Sequence, residues 1–337
     1  MCVERLIDAN LDRAREGLRV IEDWCRFGLT RKDLVITLKD WRQRLGKHHL
    51  NRYKQARSTA TDQGAGLSHP AQDDRLTPSQ VIGANCARVQ EALRVLEEFA
   101  RHLDPELATT AAEIRYGLYD MEVTVIQTTQ GMQRKDQLES CRLYLITSPC
   151  DHLFEIVSAA IDAGVGIVQY RCKTEDDLHR LQQAAQLAEL CRSRGTLFIV
   201  NDRVDLALAV DADGVHLGQE DMPTDIARKL LGREKLIGRS THCLDDLRKA
   251  QAENIDYVGV GPVYTTPTKP NRQPVGLSYV HEASKTASIP WFAIGGVDIS
   301  TLQDLRKAGA QRVAVVRAVM NAAEPGETCR ELMAALK

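Results

Sequence analysis

The chain has 337 residues, more than one average domain, and 43% of them are hydrophobic, an ordinary fraction for a globular protein. The formal net charge of −2 gives no long-range attraction to nucleic acid or anionic lipid, so we expect neither as a partner. Residues 1–10 carry charges where a signal peptide needs its apolar core, and no run of about 18 apolar residues occurs, so we expect a cytoplasmic protein. The cysteines are scattered and never spaced CxxC, which favours reduced thiols over a disulfide framework or a zinc site.

Residues 1–130 lack strand signals and contain an internal repeat, in which residues 9–22 recur as residues 84–97. The apolar positions of both copies alternate in spacings of three and four, which is one stripe of an amphipathic helix. The stripes consist of Leu11, Ala14, Leu18, Ile21 and Cys25 in the first copy and of Cys86, Val89, Leu93, Leu96 and Ala100 in the second. Further helical segments follow each copy, at 34–50 and 107–126. We therefore predict an all-α domain with a duplicated helical motif over residues 1–130.

Polar positions outside the stripes also agree between the two copies. The matched pairs are Asn10/Asn85, Arg13/Arg88, Glu16/Glu91, Arg19/Arg94, Glu22/Glu97 and Arg26/Arg101. One interpretation is a ladder of helical ion pairs inherited from a duplication, each worth only about 0.2–0.5 kcal/mol. The other is a cleft between the two helices that binds an anionic ligand. The glycine-containing loop at 57–66 has no Walker pattern, so an ordinary connection is the better interpretation there.

The remainder of the chain has a different texture. Residues 131–140 are polar and without periodicity, so we predict a linker there. From 141 to 337, short apolar runs alternate with helical segments eight times. The runs lie at 142–147, 166–170, 197–200, 214–217, 236–238, 257–260, 291–294 and 312–316. Runs without internal alternation are typical of parallel strands buried on both faces, so residues 141–337 are predicted to form an α/β TIM (β/α)8 barrel.

Six polar residues lie at or after the ends of these predicted strands, namely Gln169, Arg171, Lys173, Asp202, Asp221 and Lys269. The carboxyl ends of barrel strands meet at one face, where such barrels carry their chemistry. Two carboxylates with several cations suit a pyrophosphate and its metal, because Mg²⁺ prefers one or two carboxylates plus phosphate oxygens and waters. A single Asp after a strand is more often a helix cap, and His216 and His242 are more often packed or solvated than catalytic. Only the joint pattern favours a metal role for Asp202 and Asp221.

These segments resemble, in order, the signature of the thiamine-phosphate synthase family. The matching segments are residues 169–173 (Gln-Tyr-Arg-Cys-Lys), 201–202 (Asn-Asp), 214–221, 240–242 (Ser-Thr-His), 259–269 and 294–297 (Ile-Gly-Gly-Val). That family joins 4-amino-2-methyl-5-hydroxymethylpyrimidine diphosphate to 4-methyl-5-hydroxyethylthiazole phosphate, releasing pyrophosphate and thiamine phosphate. The resemblance implies small-molecule substrates, a dissociative substitution and Mg²⁺ as cofactor.

The resemblance also implies a role for each matching residue. Asp202 and Asp221 are expected to be the metal ligands. The pyrimidine diphosphate is expected to contact the 169–173 segment (Gln169, Tyr170, Arg171, Cys172, Lys173) with Asn201, Ser240 and Lys269, and among these Arg171, Lys173 and Lys269 are expected to be catalytic. The thiazole phosphate is expected to contact Thr266, Thr268, Gly296, Val316 and Arg317. The family often has Ser at the position of Arg317.

Other hypotheses stay open for both domains. The repeated helical pattern resembles an extension of some of these synthases that is linked to a monofunctional hydroxymethylpyrimidine-phosphate kinase. No nucleotide motif is visible there, so an oligomerisation or regulatory module is the alternative, and a homo-oligomer is compatible with it. For the barrel, the alternatives are a thiazole tautomerase on the same fold and an inactive barrel that acts as a sensor or scaffold. The complete set of polar residues argues against both.

Overall fold

The computed structural model describes residues 2–58, 60, 75–267 and 272–337, and the statements below concern those residues. The chain divides into two compact units, Met1–Met132 and Gln133–Lys337. The first is built from helices alone, and the second is built around a closed sheet. Within the described residues, no helix combines the length and the apolar character that a membrane span requires.

The amino-terminal unit is formed by the helices of the repeat and those that follow each copy. They are α1 (Cys2–Asp23), a π-helical turn (Trp24–Gly28), α2 (Lys32–Lys47), α3 (Asn51–Gln55), α4 (Pro78–Phe99) and α5 (Pro105–Ser140). Every residue of both predicted stripes is fully buried. A Cβ atom on Gly17 would lie 2.5 Å from Val89 Cγ2, so glycine allows α1 and α4 to approach closely. The predicted duplicated helical motif is therefore the core of this unit.

The repeated asparagines bond to their own helices. Asn10 Nδ2 donates to the Leu6 carbonyl at 2.9 Å, and Asn85 Nδ2 donates to the Val81 carbonyl at 2.8 Å. Both asparagines are buried, so each amide satisfies a polar group within the core. These contacts favour packing over an anion-binding cleft as the reason for the match.

The repeated glutamates are paired with arginines from a neighbouring helix. Arg42 Nη1 forms an ion pair with Glu22 at 2.5 Å, and Arg115 Nη2 forms one with Glu97 at 3.0 Å. Each also has an arginine of its own helix three residues earlier, at 3.6 Å for Glu22 and 3.0 Å for Glu97. The ladder therefore extends inward to a second helix, which the sequence did not indicate. Arg13 and Arg88, the other candidates for anion binding, are exposed.

The predicted linker at 131–140 requires correction. These residues form the last turns of α5, and the division between the units falls after Met132. Their polar side chains are compatible with a helix because straight-chain Gln, Lys and Arg have good helix propensity. Within the second unit, Arg134 Nε donates to Asp213 Oδ1 at 2.7 Å and Leu138 is buried.

The carboxy-terminal unit is the predicted (β/α)8 barrel. Its strands are β1 (Leu143–Ile146), β2 (Ile167–Tyr170), β3 (Leu197–Asn201), β4 (Gly214–Leu217), β5 (Leu236–Thr241), β6 (Tyr257–Val260), β7 (Trp291–Ile294) and β8 (Val313–Val315). The helices are α6 (Leu153–Asp162), α7 (Asp177–Ser193), α8 (Val204–Ala209), α9 (Thr224–Leu231), α10 (Leu244–Ala252), α11 (Gly276–Thr286), α12 (Ile299–Lys307), α13 (Arg317–Met320) and α14 (Pro325–Ala335). All neighbouring strands are parallel, and β8 closes the barrel on β1.

Alternate residues of each strand face opposite sides of the barrel wall. In β2, Ile167 belongs to the inner cluster with Tyr144 and Phe292, whereas Val168 belongs to the outer layer between the strands and helices. Gln169 therefore shares the inward face, and Tyr170 faces outward, where its hydroxyl donates to Gln183 Oε1 of α7 at 3.0 Å. This parity decides which polar residues can reach the interior.

Candidate active site

Inward-facing polar side chains form a floor at the carboxyl ends of the strands. Two cavities open above this floor, and both are lined by Arg171, Asn201, His216 and Ser240. One, of about 660 Å³, also contains Lys173, Asp202 and Asp221, and we call it the aspartate cavity. The other, of about 450 Å³, also contains Thr266, Gly295, Gly296, Val316 and Arg317, and we call it the glycine cavity. Most of the predicted site residues are thus divided between two adjoining volumes, with Gln169 in the glycine cavity.

The aspartate cavity is organised around an ion pair. Lys173 Nζ, after β2, lies 2.9 Å from Asp202 Oδ2, after β3. Asp202 has a φ of +64°, in a region that Asp and Asn enter more readily than other side chains. Asp221 is held by the Gly218 backbone N–H, which donates to Asp221 Oδ2 at 2.5 Å. Because three separate loops contribute, only the closed barrel assembles this arrangement.

The two aspartates influence each other. Burial opposes ionisation of Asp202, but its hydrogen bond with Asp221 and the ammonium of Lys173 hold the Asp202 pKa below its ordinary value. Burial, the hydrogen bond with Asp202 and its negative charge raise the pKa of Asp221. A divalent cation would relieve this repulsion, and two carboxylates suit the donor set that Mg²⁺ prefers. Asp202 and Asp221 therefore fit a magnesium ion.

The glycine cavity depends on two left-handed residues after β7. Gly295 and Gly296 have φ values of +96° and +69°. A Cβ atom on Gly295 would lie 2.4 Å from Pro262 Cβ, and one on Gly296 would lie 2.7 Å from Tyr264 Cβ. Glycine is thus required for the β7 loop to lie against the β6 loop. The backbone exposed between these loops is suited to a phosphate, since barrels commonly bind one after strands seven and eight.

Several residues that line the cavities were not predicted to take part. His216 lines both cavities, and His242 lines the glycine cavity. Gln219, Glu220, Arg272 and Gln273 line the aspartate cavity. His216 offered a usable signal, because it is a polar residue between Val215 and Leu217, and alternate residues of a strand face opposite sides. Arg272 and Gln273 lie 12 and 13 residues after the end of β6 at Val260, so no strand position indicates them.

Some predicted residues lie elsewhere. Tyr170 and Cys172 line neither cavity, which corrects the expectation that the whole 169–173 segment contacts substrate. Tyr170 faces outward by strand parity, and Cys172 packs against the outer apolar layer. Thr268 and Lys269 lie outside the described residues, as does most of the loop at 57–66.

The amino-terminal unit contains a charged cluster that the sequence did not suggest. His49 Nε2 lies 2.7 Å from Asp8 Oδ1, and Arg57 Nε donates to Asp8 Oδ2 at 2.7 Å. Asp12 also pairs with Arg57, and Arg15 Nη1 lies 3.3 Å from His49 Nδ1. Burial acts to raise the Asp8 pKa, but the hydrogen bonds with Arg57 and His49 outweigh it and hold that pKa below its ordinary value. The cluster is internally charge-paired, which is sufficient to explain it as a structural element.

The fold and the position of its polar residues define the carboxy-terminal unit as a (β/α)8-barrel enzyme of the kind that carries its chemistry at the carboxyl ends of the strands. A family model described as thiamine monophosphate synthase matches residues 143–319, and the model of the ThiD2 family matches residues 5–124. A thiamine-phosphate synthase of Prochlorococcus marinus (strain MIT 9303) is 65% identical, over 99% of this chain and 96% of that protein. The chain belongs to the thiamine-phosphate synthase family.

Other relatives support the same assignment. A thiamine-phosphate synthase of Thermosynechococcus vestitus (strain NIES-2133 / IAM M-273 / BP-1) is 53% identical, over 98% of this chain and 94% of that protein. Among solved structures, a thiamine phosphate pyrophosphorylase from Pyrococcus furiosus is 33% identical with a TM-score of 0.54. The alignment covers 61% of this chain and 97% of that one, as expected if only the barrel is shared.

Proposed function

We propose that the barrel joins 4-amino-2-methyl-5-hydroxymethylpyrimidine diphosphate to the thiazole phosphate, giving thiamine phosphate and pyrophosphate. The observation that carries the proposal is a cavity in which Lys173 forms an ion pair with Asp202 next to Asp221. It lies beside a second cavity that is lined by glycine backbone. The first arrangement suits a diphosphate with a metal, and the second suits a monophosphate. Two differently phosphorylated substrates can thus meet above a common floor.

The diphosphate end is assigned to the aspartate cavity. Asp202 and Asp221 would hold Mg²⁺, which neutralises charge on the departing diphosphate when it is bound. Lys173 and Arg171 supply fixed positive charge to the same group without reorganisation during the reaction. Lys269 is assigned to this end from the sequence pattern alone. The C–O bond breaks with its electron pair passing to the leaving diphosphate oxygen.

The thiazole phosphate is assigned to the loops after β7 and β8 in the glycine cavity, and the pyrimidine ring to the side of the same cavity that carries Gln169 and Ser240. The electron-rich aminopyrimidine delocalises the positive charge that remains on its methylene carbon, and the thiazole nitrogen then donates its lone pair to form the new C–N bond. Thr266, the Gly296 backbone and the start of α13 would hold the thiazole phosphate. No protein nucleophile is needed. Positioning and electrostatic stabilisation are therefore the protein's contributions.

The test is incubation of the full-length protein with both substrates and Mg²⁺, with thiamine phosphate and pyrophosphate measured together. We expect one pyrophosphate for each thiamine phosphate. A thiazole tautomerase would instead isomerise the thiazole phosphate without the pyrimidine substrate, and a scaffold would do neither. Product formation that persists with both aspartates replaced by asparagine would contradict the metal assignment.

For the amino-terminal unit we propose phosphorylation of hydroxymethylpyrimidine phosphate, which yields the barrel's diphosphate substrate. The match of residues 5–124 to the ThiD2 family supports this, as does the chemical continuity of the two reactions. The buried stripes explain the repeat by packing, without a catalytic role. The competing proposal is therefore a structural unit that acts as an oligomerisation module.

A full-length Asp221→Asn variant allows the kinase proposal to be tested with little consumption of the product. We expect ATP, Mg²⁺ and the pyrimidine monophosphate to yield accumulated pyrimidine diphosphate, resolved by chromatography. Absence of the diphosphate in both this variant and the wild type, together with concentration-dependent association, would favour the oligomerisation module.

A further inference from the structure

A chain of five buried polar side chains crosses the floor of the barrel. Gln169 Nε2 donates to Tyr144 Oη at 2.7 Å, and Tyr144 Oη lies 2.9 Å from Tyr257 Oη. Tyr257 Oη lies 3.3 Å from His216 Nδ1, and His216 Nε2 lies 3.0 Å from Ser240 Oγ. The chain begins and ends on residues that line the glycine cavity, so its two ends face the same volume.

The chain has a direction because buried hydroxyl groups need acceptors. Tyr144 accepts from Gln169, and the contact available to its own hydrogen is Tyr257 Oη. Tyr257 then donates to His216 Nδ1, so the neutral imidazole carries its hydrogen on Nε2 and donates to Ser240 Oγ. The Ser240 hydroxyl hydrogen is thereby directed toward the cavity as a donor, while Gln169 Oε1 remains an acceptor.

The packing around the chain maintains this arrangement. A Cβ atom on Gly238 would lie 2.2 Å from Tyr257 Cζ and 2.6 Å from His216 Nδ1, so glycine makes room for their contact. Gly259 lies on another side of the imidazole, where a Cβ atom would be 3.5 Å from His216 Cε1. Burial raises the pKa of Tyr144 and of Tyr257, so both retain the hydrogens that the chain requires.

We propose that Tyr144, Tyr257 and His216 are positioning residues that fix Ser240 as a donor and Gln169 as an acceptor, and so select an aminopyrimidine over its oxo analogue, a proposal that rests on the synthase function above. An aminopyrimidine presents a ring-nitrogen acceptor beside an amino donor, which complements Ser240 and Gln169. The oxo analogue presents a ring N–H donor beside a carbonyl acceptor. Its binding would place donor against donor and acceptor against acceptor, unless all five members of the chain reversed together.

The test compares kcat/KM for the aminopyrimidine diphosphate and for its oxo analogue. We expect the wild type to prefer the amino substrate by at least about 10³, as a site built to hydrogen-bond one pattern rejects another. Tyr257→Phe interrupts the chain and should lower this ratio at least about tenfold, through KM more than kcat. Tyr144→Phe should act likewise. Tyr279→Phe is the matched control, because Tyr279 is a buried tyrosine whose hydroxyl bonds to Thr241 Oγ1 at 2.7 Å, outside the chain.

A second measurement tests the direction of this hydrogen-bond chain without requiring turnover. In ¹⁵N NMR spectra, the His216 ring, assigned by its loss in His216→Gln, should show a protonated Nε2 and a bare Nδ1. Tyr257→Phe should populate both tautomers. The proposal would be overturned if Tyr257→Phe and Tyr144→Phe both left the ratio of the two kcat/KM values unchanged. A wild-type His216 ring protonated on Nδ1 would also overturn it. A wild type that makes no thiamine phosphate but keeps the Nε2 tautomer would contradict the synthase function and still support the polarity of the chain.

Discussion

Lys173 Nζ and Asp202 Oδ2 form an ion pair of 2.9 Å that joins the loops after β2 and β3. The Lys173 side chain is 56% exposed, and pairs of this kind contribute at most about 1 kcal/mol to folding. The pair therefore contributes little to stability. Its importance lies in placing a cation next to a carboxylate where a metal and a diphosphate would meet, so either residue can be replaced without endangering the fold.

Replacing either cavity aspartate should abolish most of the activity. We expect Asp202→Asn and Asp221→Asn each to lower turnover by at least about 10², as for loss of a preorganised electrostatic contact. Asn also tolerates the left-handed backbone at position 202, so the fold should be retained. Turnover is measured over a Mg²⁺ titration, with Asp205→Asn as control, because Asp205 is exposed and pairs with Arg203. Near-normal activity of Asp221→Asn at limiting Mg²⁺ would contradict the assignment.

The two cavities should respond to different substitutions. Lys173→Ala is expected to raise KM for the pyrimidine diphosphate, whereas Gly296→Ala should chiefly raise KM for the thiazole phosphate because a Cβ atom there meets Tyr264. Gly195→Ala is the control for backbone strain, since Gly195 has a φ of +64° and open space around it. If Gly296→Ala instead weakened the diphosphate and spared the thiazole, the two ends of the site would be reversed.

The pairing of the repeat glutamates predicts a stability difference between two nearby arginines. Arg42→Ala leaves Glu22, whose side chain is 4% exposed, without its closest partner, and should cost about 2–4 kcal/mol of unfolding free energy. Arg44→Ala removes a pair with Glu113, which is 58% exposed, and should cost under about 1 kcal/mol. Urea unfolding measures both. Equal losses would mean that the burial of Glu22 has no energetic consequence, and Glu22→Gln should partly rescue Arg42→Ala.

The Asp8 cluster predicts a dependence of stability on pH. A carboxylate whose pKa is lower in the folded state stabilises the fold above its unfolded pKa of about 3.9, and this is lost as the pH falls through the folded value. Asp8→Asn should therefore lower the unfolding free energy of the amino-terminal unit at neutral pH. The difference in unfolding free energy between the variant and the wild type should disappear below about pH 4.

Tryptophan emission can follow this unit specifically. In a Trp291→Phe background, the remaining Trp24 and Trp41 both belong to the amino-terminal unit. Asp40→Asn serves as the control, because Asp40 is exposed. If the difference in unfolding free energy between Asp8→Asn and wild type stays constant from neutral pH to below about pH 4, the charge of Asp8 is not what stabilises the cluster.

Periodicity alone predicted the buried helices of the repeat and the eight strands of the barrel. The stripe of Leu11 and Leu18 predicted a buried helix because side chains three and four residues apart share one face, and all the apolar runs proved to be strands. β4, β6 and β7 have the predicted bounds, and β1, β2, β3 and β8 differ from them by one residue at one or both ends. β5 extends further, to Thr241, because its last residues pair with β6 although they are polar.

Tertiary structure decided which strand faces point into the barrel and which distant side chains meet, and local sequence patterns do not contain this information. Closure of the barrel decided which face of β2 became the interior, and Tyr170 lies on the other face. The contacts of His216 with Tyr257 and Ser240 join three strands that are far apart in sequence, and no spacing rule predicts them. The sequence by itself therefore determined the buried helices of the repeat and the eight strands, because side-chain periodicity is a local property, and with the strands it determined which polar residues lie at their ends. Closure of the barrel decided which of those residues meet, because it brings the ends of separate strands to one face.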